Sequence, residues 1–562
     1  MKTKIFSILT FAGLMVTGLS SAFANVNPGA ACGCPALASR TTVNISSLTN
    51  AAGDFTAKNT ILDCSKTYVL DNNNANTTGK YYVGKGKTIT IQPGTVIKGM
   101  PETTPGTSRN GGILVISRGA KIIAAGTESC PIIFTSTLDV NVDGTYGITN
   151  KGKWGGLIVL GTATNNLTAA NNSGLGVAGL PGVGRIEGFT SPEPRIYFGA
   201  SSSETDPDFQ AYDDNDNSGI LTYISIRHGG EVIGANNEIN GLTLGSVGRA
   251  TTIHHIEVMS NLDDGIEFFG GTVDLKYASV LFSDDDSFDW DLNWSGRGQF
   301  WVSIKTDQAT AAGGDNGFES DGDDNKVGSG IMSNPNVYNV TYLGSLNING
   351  VATNKGFAIE MKEQTNGTIR NSIFANYRDG ARFNNDTSRV NGIDAYDNWR
   401  AGTLKVECNT FVGMTNPLIW RTGRNGGTTM HDSIITLANQ PAIFNKFFTT
   451  DGNVSVPTLG GFDFTHAMNV STNVVSDVVD MIPTVNTATT CTAAPNDGFF
   501  TPAPYRGAFE AGKKSWLSNY SMNACLDLEN GLVPCNTDAN ADGTTNVSDL
   551  NLLLIQFGII CD

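Results

Sequence analysis

The sequence predicts an all-β solenoid, a parallel β-helix, and three observations carry that prediction. From about residue 80 onward, apolar β-branched runs such as Thr88–Gln92, Gly112–Ile116, Lys121–Ala124, Ile132–Thr135 and Gly156–Leu160 alternate with Gly, Asn, Asp and Ser. Runs this short, with few stretches of helical period, read as strands between turns. Next, residues 258–268 (VMSNLDDGIEF) lie over 280–290 (VLFSDDDSFDW), about 22 residues further on. Finally, Gly supplies 66 of 562 residues, while hydrophobic residues make up 40% and charged residues 16%, which suits turns around a large core rather than disorder.

The repeated block has one form: polar, polar, small, apolar, polar, apolar. It stands as Asp263–Phe268 (DDGIEF), Asp285–Trp290 (DDSFDW) and Asp315–Ser320 (DNGFES), then more loosely as Asn354–Ile359 (NKGFAI) and Arg378–Phe383 (RDGARF). A short strand after a tight turn, repeated with insertions between copies, suits coils that stack on a shared core. A sandwich would show hairpin turns at a regular spacing of roughly 8–12 residues, and propeller blades a period of about 40–50 residues. Alternation along the strand puts Ile266, Phe288 and Phe318 inside as one ladder.

Taken in order, the chain opens with a signal peptide, residues 1–24. Lys2 and Lys4 precede the apolar run Ile5–Leu19, and Ala22-Phe23-Ala24 makes a small-x-small cleavage site. Residues 25–59 form an N-terminal segment or cap, 60–525 the β-helix, and 530–562 a separate C-terminal unit. No later stretch approaches the ~18 continuous apolar residues of a spanning helix. Export to the extracellular space or cell surface, without a membrane span, is therefore expected. Nine cysteines (32, 34, 64, 130, 408, 491, 525, 535 and 561) suit an oxidising compartment, though spacing leaves most partners open. The 36 Lys+Arg against 53 Asp+Glu give a formal charge of −17, which argues against nucleic acid or anionic membrane as partners.

The C-terminal unit carries the sharpest motif. Residues 538–549 (DANADGTTNVSD) place Asp538, Asn540 and Asp542 at positions 1, 3 and 5 of a twelve-residue calcium loop. Gly543 stands at the sharp turn, Thr544 offers its carbonyl, and Asn546 and Asp549 complete the set. Leu550–Phe557 (LNLLLIQF) supplies a following helix, and Cys535 and Cys561 bracket the unit as a candidate disulfide. The loop resembles one half of a type I dockerin. Dockerins carry two such loops, so a cohesin-like partner is in doubt with one.

The solenoid resembles a large family of exported bacterial right-handed parallel β-helix proteins, common in Bacteroidetes. The segments that carry the resemblance are Ile89–Gly99 (ITIQPGTVIKG), Gly152–Gly161 (GKWGGLIVLG), Asn237–Gly245 (NEINGLTLG), Asp263–Thr272 (DDGIEFFGGT) and Asn316–Asp321 (NGFESD). The resemblance spans roughly residues 60–520 and implies fold and export; it supplies no reaction.

Stacking the repeats lines up Glu267, Asp289 and Glu319 on one outward column. A second column carries Phe269, Asp291, Asp321 and Glu360, and Asp263, Asp285 and Asp315 sit on the preceding turn. Coils are spaced by about 4.8 Å. Carboxylates at that separation repel by roughly 3 kcal/mol at an effective dielectric of ~20, so they must bind cations, take up protons or splay into solvent. Calcium is the natural cation for clustered carboxylate oxygens outside the cell. The run Asp213–Asn217 (DDNDN) reads as a turn, with calcium as a candidate occupant. No zinc-type histidine spacing, nucleophile elbow or Walker loop occurs. Two functions remain open. One is a secreted, calcium-binding module directed at extracellular polysaccharide or cell-surface glycan. The alternative is a polysaccharide-degrading lyase or hydrolase working through the acidic face, where paired carboxylates at suitable separations act as acid and base.

Overall fold

The computed structural model describes residues 28–521 except 73–78, 103–110, 169–173, 190–191, 235–236, 306–315, 323–331, 345–355, 424–426, 428, 459–467, 470–473, 476–480, 482–490, 492 and 518–519. The chain is a right-handed parallel β-helix with three strand-bearing faces. One face is a sheet of ten parallel strands: Lys80–Val83, Ile113–Ile116, Leu157–Leu160, Leu242–Gly245, Ile266–Phe269, Phe288–Asp291, Phe318–Ser320, Phe357–Met361, Asp379–Asp386 and Asn416–Gly423. Met430–Ile434 closes it antiparallel. The other two faces merge into one 18-stranded sheet, because strands such as Gly219–Arg227, Thr252–Met259, Leu275–Leu281 and Arg297–Ile304 run on through a corner. Thr41–Asn44 already pairs in parallel with Lys66–Leu70, so the stack reaches further toward the N-terminus than residue 60, the expected start of the β-helix.

The expected ladder is present: Ile266 pairs with Phe288 and Phe288 with Phe318, all with no exposed surface. Around it the interior is aromatic, with Phe268 stacked on Trp294 at 4.1 Å and Phe288 on Trp301 at 4.5 Å between centroids. Trp154, Trp290, Trp294, Trp301 and Trp399 are all buried, so these indoles pack the solenoid.

One register expectation needs correcting. Phe318 pairs with Ile359 and Glu319 with Glu360, so the Asn354–Ile359 copy sits two residues away from its predicted alignment. Glu360 therefore joins the Glu319 column, not the Asp321 column. A one-residue slip would turn a strand inside out, but a two-residue slip preserves alternation, so the apolar pattern cannot choose between the two registers. Phe357 pairs with Asp379 and lies 3.6 Å beneath the Arg382 guanidinium.

Polar side chains at the corners explain the Asn and Asp content. Asp264 accepts the Asp286 N–H at 2.8 Å, Asp286 accepts that of Asn316, and Asn316 accepts that of Phe357 at 3.1 Å. At another corner Asn409 accepts the Ser372 N–H at 3.0 Å and Asn453 that of Asn409 at 2.9 Å. These contacts join coil to coil where the strand ladder is interrupted.

Two excursions lie on the outside. In the first, residues 162–200, Leu167, Val183, Ile186 and Phe198 pack over Ile158, Leu160 and Phe269 of the ten-stranded sheet. The second, residues 493–521, is a strap on the corner of the other faces that docks at Gln299, advances to Asn409 and then returns toward Tyr223. Arg506 donates to Asn409 O, Gly507 N–H to Asn371 O, and Asn339 donates to Tyr505 O. Further back, Gln299 bonds both the N–H and O of Thr501, Trp516 meets Tyr277, and Tyr520 meets Tyr223. Cys408–Cys491 tethers the strap, and Cys32–Cys130 and Cys34–Cys64 staple the N-terminal coils.

Candidate functional site

The ten-stranded sheet carries one continuous outward column: Tyr82, Val115, Ile158, Thr243, Glu267, Asp289, Glu319, Glu360, Arg382 and Ile419, each paired with the next. Its first three members are apolar because the 162–200 excursion covers them. Beyond that cover, four successive coils present a carboxylate. The expected neighbours Glu267, Asp289 and Glu319 are brought together, and Asp291 pairs with the buried Phe269 on the second column. Asp315 lies outside the described residues, as do the C-terminal loop, Cys535 and Cys561, and the leader.

The carboxylates converge at the turn that precedes this sheet. Oxygens of Asp263, Asp264 and Asp285 lie within 4.8 Å of one another, and so do those of Asp264, Glu267 and Asp289. Asp264 belongs to both groups. Asp264 is 8% exposed and Glu267 7%, so solvent screens them little. Asn240 donates to Glu267, while one buried oxygen of Asp289 has no hydrogen-bond partner.

Burial, reinforced by mutual repulsion, pushes the carboxyls of Asp263, Asp264, Glu267 and Asp289 well above the ordinary range. Two further acids feel the same field. Glu187, from the excursion, and Glu238, from the strand Asn237–Glu238, are both shifted upward by burial, Glu187 also by Glu238. At 4.8 Å, two ionised carboxylates repel by about 3 kcal/mol at an effective dielectric of ~20.

At the C-terminal side the column changes character. Lys362 pairs with Glu319 and, at 3.2 Å, with Asp321. Arg382 pairs with Glu360, and Arg421 approaches Glu360 at 3.5 Å. Burial alone would lower Lys362, but Asp321, Glu319, Glu360 and Glu363 outweigh it and hold the ammonium above the usual lysine range. These pairs offset the acids of the later coils. No ion pair accompanies Asp264, Glu267 or Asp289 among the described residues.

An all-carboxylate set with converging oxygens and an unpartnered acceptor fits a hard divalent cation such as calcium, which takes six to eight oxygen ligands. Softer metals would call for His or Cys donors, and the triads contain neither. Sequence reasoning named Asp263 and missed its neighbour Asp264. The signal was available, because Asp264, Asp286 and Asn316 recur at one position of the repeated block. Glu187 and Glu238 belong to segments between coils, which a repeat alignment cannot place. Asp213–Asn217 forms a turn whose carboxylates serve the backbone: Asp214 accepts the Thr164 N–H at 2.9 Å and Asp213 that of Asn215 at 2.9 Å.

Comparison with known proteins agrees with this geometry. No curated protein and no solved structure matches the chain. The family model described as a pectate-lyase-like beta helix domain matches residues 53–191 and 195–441, more than half of the chain and all of the acidic coils. With coils, register and outward carboxylate column in place, the chain belongs to the pectate-lyase-like beta helix domain family.

Proposed function

We propose that the solenoid is a calcium-dependent polysaccharide-binding module that acts outside the cell, with the acidic wall as its metal centre. The observation that carries this reading is the pair of carboxylate triads sharing Asp264, in which Asp264 and Glu267 are buried and, like Asp289, have no ion pair among the described residues. A bound divalent cation removes their repulsion and leaves part of its coordination sphere for ligand oxygens. Membership of a pectate-lyase-like family supports a polysaccharide as that ligand. The test is retention of the secreted protein on a panel of immobilised polysaccharides, in calcium and in chelator. Calcium-dependent retention, lost in Asp289→Asn/Glu319→Gln with the fold intact by circular dichroism, supports the reading. Retention indifferent to calcium and to these substitutions refutes it.

A second reading, cleavage of the bound chain, is favoured by one observation. Lys362 and Arg382 abut the carboxylates on the same sheet and bring fixed cations to a face that the local sequence shows as almost wholly acidic. Product formation in the same assay distinguishes cleavage from binding.

For the remainder of the chain we propose export with signal cleavage near Ala24. We further propose a second calcium site formed by Asp538, Asn540, Asp542, Thr544, Asn546 and Asp549, clamped by Cys535–Cys561. Comparing calcium stoichiometry of the full chain with that of an Asp538→Ala/Asp549→Ala variant tests the site; an unchanged count excludes it. With a single loop, binding to type I cohesins should be weak or absent.

A further inference from the structure

On a different face from the acidic wall, the strap and the coil corners enclose a cleft of about 400 Å³, lined by Arg249, His254, Asp274, Lys276, Tyr277 and Phe499, among others. We infer that this cleft is a separate, calcium-independent binding site for a small organic oxyanion, a ring-sized molecule bearing a carboxylate or sulfate group.

The charges of the lining argue for an anion. Asp274 is committed to Arg297, which holds both its oxygens and reaches Asp497 at 2.8 Å with its remaining nitrogen. Lys276 donates to two neutral groups, Phe499 O and Thr501 Oγ1, each at 2.7 Å, and the Asp497 carboxylate favours its charged form without an ion-pair contact. Arg249 is exposed and has no ion pair among the described residues. Thus a chain of net charge −17 presents at one concave site two cations that form no ion pair among the described residues. Concavity, an aromatic lining and a few convergent polar groups are the usual marks of a ligand site.

The rest of the lining indicates an organic scaffold. Tyr277 and Phe499 give apolar walls, and a volume near 400 Å³ exceeds the needs of a bare inorganic oxyanion. His254 adds a neutral polar edge suited to hydroxyl groups. Its Nδ1 lies 2.9 Å from Nδ1 of His255, and His255 is clamped between Tyr223 and Tyr277 at 4.3 and 4.4 Å. Burial lowers the pKa of both rings, so neither adds a positive charge to those of Lys276 and Arg249. The strap contributes Phe499 and both Lys276 acceptors, so the site exists only with the strap in place.

The test uses the full-length protein in chelator, which separates this cleft from the calcium-dependent wall. Binding of glucuronate, glucose 6-sulfate, inorganic sulfate and glucose is measured by calorimetry on wild type, Lys276→Met and Arg249→Gln. The expected result is binding of both anionic sugars, weakened about tenfold or more in each variant, since each removes a charge-assisted hydrogen bond to the anion. Glucose and sulfate alone should bind more weakly. Arg249 is exposed, so its variant keeps the test decisive should Lys276→Met fold poorly. Absence of binding by either anionic sugar, equal binding by glucose or by sulfate alone, or affinity unchanged in Arg249→Gln would overturn the inference. Loss of glycan retention at the acidic wall would leave it untouched.

Discussion

Replacing Asp264 by Asn isolates the electrostatics of the acidic wall. The side-chain carbonyl of Asn can still accept the Asp286 N–H, now at 2.8 Å, so the link between coils is kept while one charge common to both triads disappears. Each ionised neighbour within 4.8 Å repels Asp264 by about 3 kcal/mol at an effective dielectric of ~20. Burial already holds part of the cluster protonated, so the relief should be smaller, about 1–3 kcal/mol, in chelator at pH 8. The metal-free variant should therefore melt above metal-free wild type. Calcium should reverse the order. A ligand at a hundred times its Kd stabilises by about 2.7 kcal/mol, and the variant has lost an oxygen ligand shared by both triads. Scanning calorimetry of the two proteins, each in chelator and in calcium, measures both effects. A variant that melts below wild type in chelator and keeps the full calcium shift would refute the reasoning.

Three further outcomes follow from the same structure. Asp263, Asp264, Glu267 and Asp289 have raised folded-state pKa values, so their contribution to stability is full below the unfolded value near 4 and is lost as pH rises through the folded values. The metal-free protein should lose thermal stability between pH 5 and pH 8, and calcium should restore it with measurable proton release in calorimetry. Arg382→Met removes the direct ion pair of the buried Glu360 carboxylate, leaving Arg421 at 3.5 Å and the Asn384 amide at 3.4 Å, and should cost about 3–5 kcal/mol in denaturant unfolding. Phe288→Ala empties the centre of the aromatic interior and should cost about 3–5 kcal/mol by the same assay.

Much of the fold could be read from the sequence because a solenoid repeats its physics. The DDGIEF and DDSFDW blocks present the same alternation one coil apart, and this fixes Ile266 over Phe288 and Glu267 over Asp289. Legibility fails where the constraint is not periodic. The two-residue shift at Phe357–Met361 preserves alternation and is decided by contacts such as Arg382 with Glu360, which come from a later coil. The covering excursion, with Glu187, packs by shape on the apolar upper column, and nothing in its spacing announces that. Lys362 was equally hidden, since its partner Glu319 belongs to the preceding coil.

The strap changes how the molecule can come apart. In a stack where each coil touches only its neighbours, unravelling proceeds from an end, one repeat at a time. Here the chain from Cys491 onward holds corners at Cys408, Asn371, Asn339, Phe300, Tyr277, His255 and Tyr223; Thr501 bonds Gln299 before Arg506 reaches Asn409, and Tyr520 then returns to Tyr223. The earliest of these corners is closed by the last described stretch of chain. Coils can form successively as the chain emerges, but the strap docks only on a finished surface, with a large loop-closure cost. Its docking is therefore a late event, and its release must precede separation of the coils it spans. A structure assembled in small local steps is thereby made to unfold as one unit, and resistance to proteolysis should be set by how often the strap lets go.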